Sequence, residues 1–414
     1  MLYRLIVILL ALALAPVASA RATDARVGAR ASVDGELERL RVEGFNRLYS
    51  LEYDAAGTLF TEMIRIAPER PEGYLFRATN TWFGSLFNKR LLSTNLYARD
   101  EFYEQKEQAV DPAVDKSFRA DLEKAIALGE ARVAADPKDL DALYYLGAAH
   151  GSLAGYEGSM ARAFMSALKH GSKSVDLHER VIERDPLYVD AYLTIGMYHY
   201  VVGSLPLPVK LLAAVGGVRG SKKNGLAELE RVVREGRRNA DDARVVLVGL
   251  YAREGRREDA LALLRELEAR YPSNYVLALE EANTLAQLGR RDEAYAAFER
   301  LLATPRATAK AKDFVEYWYA EALRAGGEHQ RALERYAGVW QWKGADADLM
   351  TLSRLGAGQC LDALGRREEA VASYQIVRGR PDILDSRKKA ERFLKTAYSP
   401  SQPMASTGQT PRAS

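Results

Sequence analysis

The sequence predicts an all-α protein, a superhelical solenoid of stacked helix–turn–helix units with longer inserts in its N-terminal half. Three observations predict it. A block recurs as Glu254-Gly-Arg-Arg-Glu-Asp-Ala260, Leu288-Gly-Arg-Arg-Asp-Glu-Ala294, Gly326-Gly-Glu-His-Gln-Arg-Ala332 and Leu364-Gly-Arg-Arg-Glu-Glu-Ala370. Its glycines Gly255, Gly289, Gly327 and Gly365 are 34, 38 and 38 residues apart, a period that two helices and their turns fill. Apolar residues on both sides of each glycine follow helical spacing, and strand-like alternation is nearly absent.

Taken from the N-terminus, residues 1–20 read as a secretory signal peptide. Arg4 precedes an apolar run from Leu5 to Ala15, and Ala18-Ser-Ala20 is a small-residue cleavage site. The run is shorter than the roughly 20 residues that span a bilayer. Export to a bacterial periplasm or beyond the cell is therefore expected, with cleavage near Ala20. Residues 21–32 are expected to be a flexible N-terminus.

Residues 33–240 form a repeat region with extended inserts. Glu52-Tyr-Asp-Ala-Ala56, Phe60 and Pro68 belong to one unit, and Tyr74 and Ala78 open the next. Asp136-Pro137 is followed by Ala142, Leu143, Leu146 and Gly147; Asp185-Pro186 is followed by Ala191, Tyr192, Ile195 and Gly196. Proline ends one helix there and the next begins after a short turn. These two blocks are 49 residues apart, so the unit is stretched. The spacers Leu86–Ala120, Gly155–Ser174 and Ser204–Asn224 each fall between the two helices of a unit.

Residues 241–383 carry the regular repeats. Ala260, Ala294, Ala332 and Ala370 let two helices approach, and Leu264, Phe298, Tyr336 and Tyr374 fill the space between them. Residues 384–398 read as a capping helix with a charged outer face, which a solenoid needs at its end. Residues 399–414, rich in Ser, Pro and Thr, are expected to be a disordered tail.

The unit resembles that of the tetratricopeptide repeat (TPR) family, exported bacterial type. It shares the small residue early in a first helix A, the glycine turn, and the small and aromatic residues in helix B. A looser likeness, to tetratricopeptide repeat 39-like proteins with apolar inserts, rests on Gly216-Gly-Val-Arg-Gly220 and Asn224-Gly-Leu-Ala-Glu-Leu229. The TPR resemblance implies a concave surface lined by A helices that holds a peptide or protein segment. Carried onto this chain, it points to Leu75 and Trp82, to Asp141 and Tyr144, and to Asp190, Leu193, Met197 and Tyr200. Rings and acids together suit a mixed polar and apolar partner. The function so implied is a non-catalytic, exported scaffold or adaptor.

An alternative is a small-ligand or lipid binder, its pocket closed by the inserts and lined by Trp82, Tyr144, Phe164, Met197 and Leu211. The insert starting at Ser204 is apolar and kinked, and basic residues follow it. Its surface residues Leu205, Leu207, Leu211 and Arg219 either touch a membrane surface peripherally or fold back on the solenoid.

Other classes find little support. Composition is 48% hydrophobic and 28% charged, and the formal charge is +3, spread along the chain. No basic patch suggests a nucleic-acid partner. No H-E-x-x-H, G-x-S-x-G or dinucleotide fingerprint marks an enzyme or a cofactor. The single cysteine, Cys360, reads as a buried, inert thiol. His150 and His199 occupy equivalent positions in consecutive units. Roughly 8–10 Å should separate such positions, too far for one metal ion, so no metal is expected.

Overall fold

The computed structural model describes residues 24–92, 110–161, 163–205, 210 and 219–400. Among them, every regular element is helical. Helix pairs, A then B, follow one another: α1 (Asp24–Tyr49) and α2 (Tyr53–Ile66); α3 (Pro71–Asn88) and α4 (Pro112–Ala135); α5 (Leu140–Tyr156) and α6 (Phe164–Arg184). Next come α7 (Tyr192–Gly203) with α8 (Lys222–Glu235), and α9 (Ala240–Arg253) with α10 (Arg257–Arg270). The later pairs are α11 (Tyr275–Gln287) with α12 (Arg291–Ala303), α13 (Pro305–Ala325) with α14 (His329–Gln341), and α15 (Ala347–Ala363) with α16 (Arg367–Arg378). A last helix, α17 (Ser386–Lys395), caps the series. No described helix is long and apolar enough to cross a membrane.

Two compact units result, Met1–Leu277 and Ala278–Ser414. In the first, each helix from α1 to α10 packs on the next, and α3 also meets α5. In the second, α12 to α17 pack in sequence, and α15 meets both α13 and α17 across the intervening helices. This is the stacked helix–turn–helix arrangement predicted from the repeats. The division falls inside α11. The sequence boundary at 240/241 marks something else, the change from stretched to regular repeats.

The turns explain why the pairs form. Gly255, Gly289, Gly327 and Gly365 all have positive φ, between 75° and 85°. In each, the next amide reaches back five residues, as Arg256 N–H does to Tyr251 O at 2.8 Å and Arg366 N–H to Leu361 O at 2.8 Å. That is the Schellman closure of a helix, and it wants a residue without a Cβ. Leu51 (φ 61°) and Arg90 (φ 57°) take the same conformation after α1 and α3. The closing bonds there are Glu52 N–H to Arg47 O and Leu91 N–H to Leu86 O, both 2.8 Å. The turn is thus used twice more where no glycine announces it.

Helix starts are equally local. Asp111, Asp139 and Asp346 accept bonds from the first free amides of α4, α5 and α15 at 2.8–3.0 Å. Pro71, Pro112 and Pro305 sit in first turns, where a missing N–H costs nothing. The Asp-Pro turns close on their own aspartates: Asp136 accepts from Lys138 N–H at 2.9 Å and Asp185 from Leu187 N–H at 3.0 Å.

Between paired helices, the alanines and large residues of the repeat are buried as expected. Ala294, Ala332, Ala370, Phe298, Tyr336 and Tyr374 have no exposed surface. Cys360 is buried, and burial pushes its thiol up to about 12.

All three inserts lie between an A and a B helix. The first supplies the start of α4; residues 93–109 lie outside the described residues. The second becomes a π-type turn, Glu157–Ala161, and the first half of α6. Of the third, Leu205 is half-buried and Arg219 exposed, while Leu207 and Leu211 lie outside the described residues. The expected signal peptide (1–20) and residues 401–414 of the expected tail lie outside them too. Helix α1 begins at Asp24, within the stretch expected to be flexible.

Candidate functional site

The starts of four successive A segments in the first unit share a feature. An acidic residue stands at the second position: Glu72 in α3, Asp141 in α5, Asp190 in the 3-10 turn (Val189–Ala191) before α7, and Asp241 in α9. An acid there is favourable, because free amides point at it. Stacking gathers these acids along one face, where tyrosines and arginines meet them.

Most of this face is bonded within the chain. Tyr188 Oη donates to Asp141 Oδ1 at 3.1 Å. Asp190 Oδ1 accepts from the amides of Arg238 (3.1 Å) and Asn239 (3.0 Å), and Asn239 Nδ2 donates to Tyr144 Oη at 2.9 Å. Asp241 accepts from Tyr271 Oη at 2.7 Å and from Arg244 and Arg270, each at 2.9 Å. The buried Asp242 accepts from Tyr49 Oη.

The first helix pair is tied to the fifth. The Tyr49 ring stacks on Tyr271 with centroids 4.9 Å apart, and Asn274 Nδ2 donates to Tyr49 O at 2.7 Å. The end of α1 therefore lies over the start of α9 and the end of α10.

Some polar atoms of this face remain without a partner. Glu72 Oε2 and Tyr145 Oη are buried and bonded to nothing among the described residues. Arg132 approaches Glu72 only to 3.8 Å, from the side of the other oxygen. Burial raises the Glu72 carboxyl, as it does those of Asp141 and Asp242. Arg238 stands half-buried nearby and makes no ion pair among the described residues. Its charge nevertheless acts on Asp141, Tyr144, Tyr145 and Tyr188. An acid cluster with shifted titration beside an unpaired guanidinium marks a candidate binding site.

The residues singled out in the sequence lie on or beside this face, but with their side chains mostly covered. Leu75, Leu193, Met197 and Tyr200 are packed in hydrophobic cores. Trp82 is buried and its Nε1–H donates to Ser159 Oγ at 3.1 Å. Tyr144 is fully buried, Asp190 nearly so, and Asp141 partly. Tyr200 Oη donates to Glu254 at 2.7 Å. Reasoning from the repeats missed Glu72, Tyr145, Arg238, Asn239 and Asp242. The recurring acid at the second helical position was the readable signal for Glu72. His150 and His199 do not meet: His199 Nδ1 bonds Glu228 at 2.8 Å, and His150 pairs with His170.

No protein-family description and no curated protein sequence matches the chain. Solved structures resemble it weakly. A thermophilic TPR protein of Thermus thermophilus has 19% identity and a TM-score of 0.33, covering 60% of this chain and 98% of that one. The human IFIT1 dimer with m7Gppp-AAAA has 14% identity and a TM-score of 0.39, covering 87% and 85%. Yeast Tom70 has 11% identity and a TM-score of 0.37, covering 87% and 95%. The chain's own helix pairs, Schellman turns and alanine–aromatic contacts make its fold TPR-like and all-α.

Proposed function

We propose that the chain is a non-catalytic scaffold or adaptor that binds a protein or peptide segment along the A-helix face of the first unit. One observation carries this reading. Arg238 presents an unpaired charge that acts on Asp141 and on Tyr145, whose hydroxyl has no partner among the described residues. A partner's acceptor at Arg238 would gain a charge-assisted bond of about 1.5–3 kcal/mol.

Arg238→Glu tests the reading with little risk to the core. Captured partners from the native envelope fraction should fall at least tenfold. Undiminished capture by a folded Arg238→Glu protein would rule out this face. Truncating Trp82 or Tyr144 instead would cost about 3–5 kcal/mol in packing and could not separate binding from folding.

A second reading, a small-ligand or lipid binder, is favoured by the way α1 covers part of the same face. Native mass spectrometry of the purified protein distinguishes the two through a copurifying small molecule. Export to the periplasm or medium is proposed from the leader-like residues 1–20, and peripheral membrane contact from Leu205, Leu207, Leu211 and Arg219. N-terminal sequencing should find Arg21 first; a retained Met1 would contradict export. Vesicle flotation checks the membrane contact.

A further inference from the structure

Several arginines of the second unit stand against carboxylates. Arg324 meets Glu321 at 2.7 Å, Arg335 meets Glu299 at 2.8 Å, Arg366 meets Glu369 at 2.7 Å and Arg367 meets Asp362 at 2.9 Å. Arg354, Arg380 and Arg387 make no ion pair among the described residues, yet the fold gathers them. Arg380, just past α16, reaches back to α15. Its Nε–H donates to Thr351 Oγ1 at 2.8 Å and its Nη2–H to Ala347 O at 3.1 Å. Arg354 lies one turn further along the same face, since positions 347, 351 and 354 are helical neighbours. Its guanidinium lies over the Trp340 ring, 3.8 Å from the centroid, and has no hydrogen-bond partner among the described residues. Arg387 Nη2–H donates to Arg380 O at 2.9 Å, which brings in the start of α17. Lys388 and Lys389 follow it in a first turn that holds no acid, although a helix start favours acids.

We propose that Arg354, Arg380 and Arg387 form a binding site for a dianionic phosphate group, free or as the monoester of a small solute. Guanidinium forks match phosphate oxygens two at a time. The N–H donors of Arg354 and those on Arg380 Nη1 have no partner among the described residues, so they are available to such a group. Holding like charges together costs free energy: burial and the Arg380 charge both lower the Arg354 guanidinium. An anion between them relieves that repulsion, and a doubly charged one balances more of it than a single carboxylate.

The acids of these segments leave the charge uncompensated. Asp346 accepts the amides of Asp348 and Leu349, and Asp382 accepts Arg387 N–H at 3.0 Å. Asp348 and Asp385 are exposed; the Arg380 charge acts on Asp348 without pairing with it. Arg354 and Arg380 are half-buried, one held on a ring and the other on α15. A small solute reaches such groups, whereas a flat membrane surface meets exposed side chains first.

The full chain is titrated by calorimetry with inorganic phosphate and, separately, with glycerol 3-phosphate, at low salt and at a pH well above the second phosphate pKa of about 6. One equivalent should bind to the wild type and to Arg366→Gln, whose arginine is already paired. Binding to Arg354→Gln should be weaker by roughly tenfold or more. Arg387→Gln, at an exposed residue, should weaken binding too and decides the matter if circular dichroism finds Arg354→Gln unfolded. Tighter binding of the ester would identify a phosphorylated solute, and equal binding free phosphate. No saturable binding of either probe up to millimolar concentration overturns the proposal, as does undiminished binding by folded Arg354→Gln. Flotation with phosphatidylglycerol vesicles without binding of either soluble probe would overturn it in favour of a membrane surface. The outcome is independent of capture through Arg238.

Discussion

Gly255 and Gly225 show two different demands made on a residue with no side chain. A Cβ at Gly255 would meet nothing within 4 Å, so only its positive φ disfavours other residues. Gly255→Ala should cost about 1–2 kcal/mol, measured by urea unfolding. A Cβ at Gly225 would lie 2.4 Å from Gly196 O and 2.6 Å from Tyr200 N, where α7 and α8 cross. Gly225→Ala should cost about 3 kcal/mol, because two backbones must separate. The recurring glycines were legible from their spacing. The crossing at Gly225 was not, since no repeat marks it. Titration is a second residue-scale test. Burial lowers His178 to about 4, and its Nε2–H donates to Tyr144 O at 3.1 Å. Its folded pKa lies below the unfolded value near 6.5, so the folded state binds fewer protons. Stability is full above about pH 6.5 and falls as pH drops toward the folded pKa. The raised carboxyls of Glu72, Asp141 and Asp242 work in the opposite direction. The comparison must therefore be with His178→Gln. Between about pH 7 and 5 the wild type should lose about 2 kcal/mol more than the variant.

At the scale of elements, the capping helix α17 shows how much its charged sequence conveyed. Ala390 and Phe393 face inward onto Tyr374, Val377, Leu355 and Leu361. Arg367 Nη2 donates to the last carbonyls, Phe393 O at 2.8 Å and Leu394 O at 3.0 Å. Phe393→Ala should cost about 3 kcal/mol and raise hydrogen exchange in α16 and α17 first. Uniform loosening of the second unit would contradict the cap role. The cap, the helix pairs and the insert positions could be read from periodicity and proline. What the inserts become could not. The second turns into a π-type turn and a lengthened α6, shaped by packing against residues distant in sequence, as Trp82 on Ser159 shows.

Over the first unit as a whole, long-range contacts decide what the A-helix face can do. Tyr49 reaches Asp242 across 193 residues and Asn274 across 225. No local pattern encodes such pairs, which is why the groove residues read from the repeats are mostly covered and Arg238 went unnoticed. Tyr49→Phe leaves Asp242 without its donor and should cost about 1–3 kcal/mol. Faster exchange at the end of α1 and the start of α9 checks it; unchanged exchange there would mean the tie carries no weight. The most direct test of the binding face is a photo-crosslinking amino acid placed at position 238 of the full chain in native extract. A discrete protein adduct formed from 238, and absent from the outward-facing position 376 on α16, is the expected result. Adducts at 376 with none at 238 would contradict it.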